Sequence, residues 1–302
     1  MVNIARAPSR ELLAFAVAAL GIAVFSAMDA VMKGLVLAIG VYQAMLWRSL
    51  AGAILSGVIY AGARTPWPGR AARRLHLVRG VVTAVMALLF FWGLARVPMA
   101  QAIALAFIAP VMALVLSATL LKERVGRSAI LASGVAFAGV LVIVAGQAQA
   151  APGREAALGI MAVLASAVCY AFNIVLMRAQ AKIAGPVEVA FWQSVVVLAC
   201  LASAGPWLAT LPDARHAPMI ALAAAFATAS LLLLSWAYAR GEASYLAPTE
   251  YTGFIWASIF GWLVFGEVLS GWTLAGAAFI VAGCAVATRG RASSPPATEA
   301  AP

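Results

Sequence analysis

Long apolar runs dominate this sequence and leave little surface that could face water. The first runs from about Leu12 to Ala30, and runs of similar length follow it along the chain. A helix needs roughly 20 mainly apolar residues to cross a bilayer core of ~30 Å. Only 10% of the residues are charged and 65% are hydrophobic, whereas a soluble domain has about 25% and 45–50%. We therefore predict a multi-pass protein surrounded by lipid.

Turn residues such as Pro152-Gly153 and Gly185-Pro186 divide these runs into ten predicted spans. The tail at 289–302 is polar and Pro-rich, which predicts disorder. We expect an all-α fold with spans at 12–31, 39–62, 76–95, 98–120, 128–146, 157–178, 187–208, 217–238, 243–265 and 271–288.

The distribution of Lys and Arg predicts the orientation. If the N-terminus is cytoplasmic, fifteen of these residues lie on the cytoplasmic side, Arg79 among them, and four lie outside. Short cytoplasmic loops of membrane proteins are enriched in Lys and Arg. Both termini are therefore predicted to be cytoplasmic.

The two halves of the sequence are similar at an offset of about 144 residues. Trp92-Gly-Leu-Ala-Arg96 aligns with Trp236-Ala-Tyr-Ala-Arg240, and Leu120-Leu-Lys-Glu123 aligns with Val264-Phe-Gly-Glu267. Anchors in the same order at nearly one offset predict an internal duplication. Two further pairs are Met45–Ser49 with Ala190–Ser194 and Gly134–Phe137 with Gly276–Phe279.

Each predicted repeat, 12–146 and 157–288, contains five spans. An odd number of spans returns the second copy upside down in the membrane. Inverted repeats recur in secondary transporters, whose substrate site lies near the middle of the bilayer between the repeats. The sequence therefore predicts a transporter that works by alternating access.

Several motifs resemble the drug/metabolite transporter superfamily, specifically its EamA-type exporters of ten helices. They are Trp47-Arg48-Ser49, Leu121-Lys122-Glu123, Pro248–Gly253 and Phe265-Gly266-Glu267. Within the superfamily the chain looks most like bacterial aromatic amino acid exporters. The resemblance implies a bacterial inner membrane, export from the cytoplasm, and a central cavity lined mainly by helices 1, 3, 4, 6, 8 and 9.

Few ionisable residues fall inside the predicted spans, and such residues are functional candidates because they are costly there. Arg48 either ties the second span to a neighbouring helix or binds a substrate carboxylate. Glu250 pairs with a structural cation, binds a substrate ammonium group or carries a coupling proton. Asp29 and Lys33, one turn apart, are expected to contact each other at the membrane interface. Glu267 is expected to complement the N-terminus of the tenth span.

Pro110 and Pro248 interrupt the fourth and ninth spans and are expected to bend these helices beside the cavity. The alternative is a kink that packs against neighbouring helices and has no part in the cavity. Aromatic and amide side chains near these prolines suit an amphipathic zwitterion. The predicted substrate-binding residues are Trp92, Gln101, Tyr170, Asn173, Ser235, Tyr245, Glu250 and Tyr251, with Arg48 and Asp29 as structural polar residues.

The sequence disfavours other classes of function. It contains no HExxH, GxSxG or nucleotide-binding motif, and its three cysteines lie in apolar runs without metal-ligand spacing. We therefore expect no enzyme, cofactor, metal or nucleic-acid partner, and a monomer that moves a small molecule, with protons as a candidate coupling ion. The rival functions are a multidrug or lipophilic-cation exporter and a metabolite importer.

The predicted orientation can be tested with reporter proteins fused after Pro302. A fluorescent protein that folds in the cytoplasm should be bright there, and alkaline phosphatase, which is active only outside, should be silent. A fusion within the 150–153 connection should behave in the opposite way. An active phosphatase at the C-terminus would contradict the topology.

Overall fold

The computed structural model of the protein describes residues 8–109, 112–113, 116, 127–149, 153–181, 183–238, 240 and 243–292, and regular structure within them is entirely helical. A four-residue helix, Gly205–Leu208, and a 3-10 turn, Ala214–His216, connect the seventh and eighth of the longer helices. The longer helices are α1 (Pro8–Ile39), α2 (Val41–Gly62), α3 (Arg70–Leu94), α4 (Met99–Ala106), α5 (Arg127–Gln149), α6 (Arg154–Ala181), α7 (Pro186–Ser203), α8 (Ala217–Tyr238), α9 (Ala243–Phe265) and α10 (Gly271–Ala292).

Six of the described helices, α1, α2, α3, α6, α7 and α8, contain stretches long and apolar enough to cross a bilayer. Shorter apolar stretches occur in α5, α9 and α10, at Phe137–Gly146, Thr252–Phe265 and Gly271–Gly283. Large apolar side chains such as Val58 and Met161 are about two-thirds exposed on the outside of the bundle, as expected for a surface that meets lipid. The predicted all-α membrane fold is confirmed, and ten complete spans stay a prediction.

Several helix boundaries differ from those predicted, and α7 ends at Ser203 rather than at residue 208. α1 continues to Ile39, and α3 begins at Arg70 rather than at residue 76. Arg79, counted above among the residues of the cytoplasmic side, lies within α3 and is buried rather than exposed in a loop. α10 continues to Ala292, past the predicted start of the tail. The residues added at the start of α3 and at the end of α10 include several arginines, which need not lie in the apolar core of the membrane.

The helix contacts repeat when each helix is replaced by the one five positions along. α1 packs on α8 as α6 packs on α3, and α2 packs on α8 as α7 packs on α3. α2 packs on its own counterpart α7, and α5 on its counterpart α10. The two halves of the chain therefore face each other with the same set of contacts, as expected for two repeats.

The Trp-Arg pairs found by the sequence alignment also adopt the same local arrangement. The Arg96 guanidinium lies 3.4 Å from the centre of the Trp92 ring, and Arg240 lies 4.2 Å from the Trp236 ring. Each arginine also donates to the backbone carbonyl of its tryptophan, at 2.9 and 3.3 Å. The same cation–π contact thus occurs at the equivalent point of each half.

α5 and α10 meet at glycines. A Cβ placed on Gly139 would lie 2.5 Å from the Gly276 carbonyl oxygen, and one on Gly276 would lie 2.6 Å from the Gly139 oxygen. Further along, a Cβ on Gly146 would lie 2.3 Å from the Trp272 side chain. Helices in membranes associate through such small residues because their backbones can then pack closely.

The glycine contact predicts that Gly139→Ala destabilises the protein, by about 1–3 kcal/mol, because the new methyl group forces backbones apart. Gly134→Ala is the matched control, since nothing lies within 4 Å of a Cβ at that position of the same helix. It should be neutral or slightly stabilising, because alanine favours a helix. Thermal unfolding of both variants in detergent checks this, and equal stability would contradict the proposed packing.

Candidate functional site

Glu267 joins separate segments at the end of the bundle where α1 ends and α2 begins, called here the α1–α2 end. Gly266 ends α9 with φ +65°, a left-handed conformation that glycine adopts readily. The chain then turns, and Glu267 lies beside the start of α4. Its Oε2 accepts a hydrogen bond from the Met99 N–H at 2.7 Å, and its Oε1 accepts one from Lys33 Nζ. One carboxylate therefore joins α1, α4 and the α9–α10 connection.

These contacts correct two predictions. Lys33 is buried and pairs with Glu267 rather than with Asp29, and it also donates to the Val97 carbonyl oxygen at 2.7 Å. Glu267 complements the N-terminus of α4 rather than that of the tenth helix. Both predictions relied on closeness in sequence, whereas the contacts observed join segments far apart in the chain.

A cavity of about 190 Å³ lies within the bundle. On α2 it extends from Arg48 to Ser56, roughly 10 to 22 Å from the α1–α2 end at 1.5 Å per residue. Its described lining comes from α1, α2, α3, α7 and α8. Both halves of the chain contribute, as predicted, but α2 and α7 contribute where the resemblance implied α4, α6 and α9.

The lining is mixed, with small apolar residues among hydroxyl and amide groups. Arg48 is the one charged side chain among the described lining residues. Several buried polar atoms of the lining have no hydrogen-bond partner among the described residues. They are Arg48 Nε, Ser49 Oγ, Thr83 Oγ1 and Gln193 Oε1. Native proteins rarely leave buried polar groups unpaired, so this set indicates a place for a polar ligand or water.

A second polar cluster lies nearer the opposite end, and its members are paired. Arg79 donates from Nε to Asn173 Oδ1 at 3.0 Å and from Nη1 to Gln180 Oε1. The Gln180 amide nitrogen lies 2.6 Å from His76 Nδ1, and His76 Nε2 lies 2.8 Å from Glu188 Oε1. The chain of contacts joins α3, α6 and α7. Since each side chain has a partner, the cluster suits a role in holding these helices together.

The predicted substrate-binding residues lie in several places. Trp92 contacts Arg96 near the end of α3, Gln101 is buried in α4, and Asn173 belongs to the paired cluster. Tyr170 is half-buried and interacts electrostatically with Arg79 and Glu250. Glu250 itself is exposed on α9. None of these five lines the cavity described above, and their role in binding stays a prediction.

The remaining predicted residues are only partly described. Ser235, Tyr245, Pro248 and Tyr251 lie in helices, but their side chains are outside the described part of the structure. α9 is a helix through the position of Pro248. Pro110 lies outside the described residues.

Sequence reasoning missed most of the cavity lining. Ser49 and Ser194 are equivalent in the internal alignment, and each follows a Trp-Arg or Trp-Gln pair. Both line the cavity, together with Arg48 and Gln193 from those pairs. A polar pair repeated within an apolar span of each half was the signal that could have identified them.

Curated relatives of this chain are transporters. An uncharacterised transporter of Helicobacter pylori is 27% identical over 61% of this chain, a match that spans 62% of that protein's length. The pseudopaline exporter CntI of Pseudomonas aeruginosa is 26% identical over 88% of this chain and 92% of that exporter's length. The riboflavin transporter of Rhizobium johnstonii is 27% identical over 73% of this chain and 70% of that protein's length.

A crystal structure of another protein superposes on this one with a TM-score of 0.63, over 95% of this chain and 99% of that chain, at 18% identity. This likeness shows a shared fold. The EamA-like transporter family matches twice along the chain, at residues 12–145 and 157–289. Two matches in succession, on a membrane fold of paired halves, show that the chain is a transporter rather than an enzyme and belongs to the EamA-like transporter family of the drug/metabolite transporter superfamily.

Proposed function

We propose that this protein exports amino acids, aromatic and other neutral ones, and related small metabolites from the cytoplasm by alternating access through the cavity. The observation that carries the proposal is the mixed lining of that cavity. Apolar surface, hydroxyl groups and one guanidinium, that of Arg48, offer an amphipathic zwitterion both apolar contact and polar partners.

The size of the cavity also favours a small substrate. Its volume of about 190 Å³ is below the roughly 300–1,000 Å³ typical of sites for drug-sized ligands. A multidrug site for lipophilic cations would need an acid in its lining, whereas the one charged group in the described lining is the cation of Arg48. These two features favour an amino acid over the rival multidrug substrates.

The proposal includes the arrangement of the chain in the membrane. Residues 12–146 and 157–288 form two inverted five-helix repeats, and residues 289–302 follow as a cytoplasmic tail. The protein acts as a monomer in a bacterial inner membrane with both termini in the cytoplasm. The excess of Lys and Arg on one side and the symmetric helix contacts support this arrangement.

The substrate class is tested by transport in proteoliposomes. The purified full chain is given radiolabelled neutral amino acids in one series and lipophilic cations in another, with protein-free liposomes as the control. We expect counterflow of aromatic and other neutral amino acids and none of the cations. Movement of cations without amino acids would overturn the proposal and favour multidrug export.

The involvement of the cavity is tested by Gly52→Leu. A Cβ on Gly52 would meet only Ser194 Oγ, at an ordinary 3.7 Å, so the rest of the side chain extends into the cavity. We expect transport to fall by at least about tenfold while the yield of folded protein is unchanged. Gly62→Leu, at the exposed end of α2 with nothing within 4 Å of its Cβ, is the control and should transport normally. Normal transport by Gly52→Leu would place the substrate path elsewhere.

A further inference from the structure

Asp29 is a buried acid without a hydrogen-bond partner among the described residues. It lies on α1 with 1% of its surface exposed, and neither carboxylate oxygen has a partner. Burying a carboxylate in this way is unfavourable unless another group compensates its charge. Such a group calls for an explanation in a native protein.

The neighbouring Lys33 does not supply the missing partner. Lys33 follows Asp29 by one turn, but its ammonium group is held by Glu267 and by the Val97 carbonyl oxygen. Asp29 instead interacts electrostatically with Arg48 of α2. Asp29 and Arg48 are therefore separate from the Lys33–Glu267 contact at the α1–α2 end.

Arg48 and Asp29 attract each other without forming a direct ion pair. Arg48 Nε is buried and has no partner among the described residues, and Arg48 Nη2 reaches only Met45 Sδ, at 3.8 Å. The guanidinium also lies 5.9 Å from the centre of the Phe91 ring. Two buried groups of opposite charge therefore keep unused hydrogen-bonding capacity at the same time.

Arg48 belongs to the wall of the cavity, and Asp29 lies directly behind that wall. Arg48 lines it directly, as do Phe25 and Met28 of α1. Asp29 follows Phe25 by four residues, so it lies on the same face of that helix. A positive group in the cavity wall and a negative group behind it thus lie on neighbouring helices, with the unpaired hydroxyl groups of Ser49 and Thr83 in the same lining.

We propose that Asp29 binds the ammonium group and Arg48 the carboxylate of a compact zwitterionic amino acid. This rests on the proposed function and names the recognition groups of the same cavity. A simple cation would leave Arg48 without a counter-charge, and a simple anion would leave Asp29 without one. A zwitterion satisfies both groups at once, because charge-assisted hydrogen bonds are strong in a site of low dielectric constant.

The alternative is a purely structural pair. In that case the two charges support each other, and removing both in Asp29→Asn with Arg48→Gln should restore the properties lost in each single variant. In our proposal each charge contacts a different part of the substrate. The double variant should then bind amino acid more weakly than either single variant.

The test uses competition against radiolabelled L-phenylalanine in proteoliposomes of the full chain. The competitors are phenylalanine, phenethylamine, which lacks the carboxylate, and 3-phenylpropionate, which lacks the ammonium group. With the natural sequence, phenylalanine should compete at least about tenfold better than either analogue. Asp29→Asn should lose the preference over phenylpropionate and keep that over phenethylamine, and Arg48→Gln should do the reverse.

Two further variants control for folding and for charge. Arg48→Lys keeps the cation but loses the paired donors of the guanidinium, so it should bind weakly and still prefer phenylalanine to phenethylamine. Asp213→Asn alters an acid of the α7–α8 connection whose side chain is 59% exposed, and it should leave every ratio unchanged. Size-exclusion chromatography shows which variants fold.

The outcomes separate the inference from the function on which it rests. If the natural sequence transports lipophilic cations but not phenylalanine, both fail. If it transports phenylalanine and the Asp29 and Arg48 variants keep its discrimination, the inference alone is wrong. If Asp29→Asn keeps the discrimination and removes only the pH dependence of transport, Asp29 binds a proton rather than the substrate, which also overturns it.

Discussion

The carboxylate of Glu267 joins three segments of the chain at the α1–α2 end of the bundle. Each of its oxygens has a separate partner, one on Lys33 and the other on the first turn of α4. A buried ion pair is tolerated only when its remaining hydrogen-bonding groups are also satisfied, and Lys33 meets this condition through the Val97 carbonyl. This contact therefore holds α1, α4 and the α9–α10 connection together at the α1–α2 end.

The two polar clusters of the bundle illustrate how pairing separates structural groups from candidate binding groups. In the cluster around Arg79 the buried side chains meet one another, and three helices are joined as a result. Around Arg48 the polar atoms are equally buried, but several have no partner. A satisfied network rigidifies a protein, whereas an unsatisfied one is costly. The difference points to the cluster around Arg48 as the place where a bound ligand would lower the free energy.

Much of the fold could be predicted from the sequence, and much of the site could not. Apolar runs and repeated anchors such as Trp92–Arg96 are local properties, so the membrane class and the two related halves were readable. The partner of Lys33 lies more than 200 residues away along the chain, and no periodicity reveals such a contact. The burial of Arg79 could not be predicted, because an arginine that follows several loop arginines in the sequence looks like another residue exposed to solvent. The chemistry of aromatic side chains such as Trp92 suits substrate binding, but the direction in which each points depends on which face of its helix turns inward.

The contact between α5 and α10 joins helices that occupy equivalent positions in the two halves. An interface of this kind resembles the self-complementary contact of a two-fold symmetric dimer, in which any change appears on both sides. Here Gly146 accommodates the bulky Trp272, so a small residue on one side is matched by a large one on the other. In a dimer of two identical chains, each substitution at such a contact would occur at both symmetry-related positions. Joining the halves in one chain removes that requirement, and each side of the seam is free to evolve its own shape.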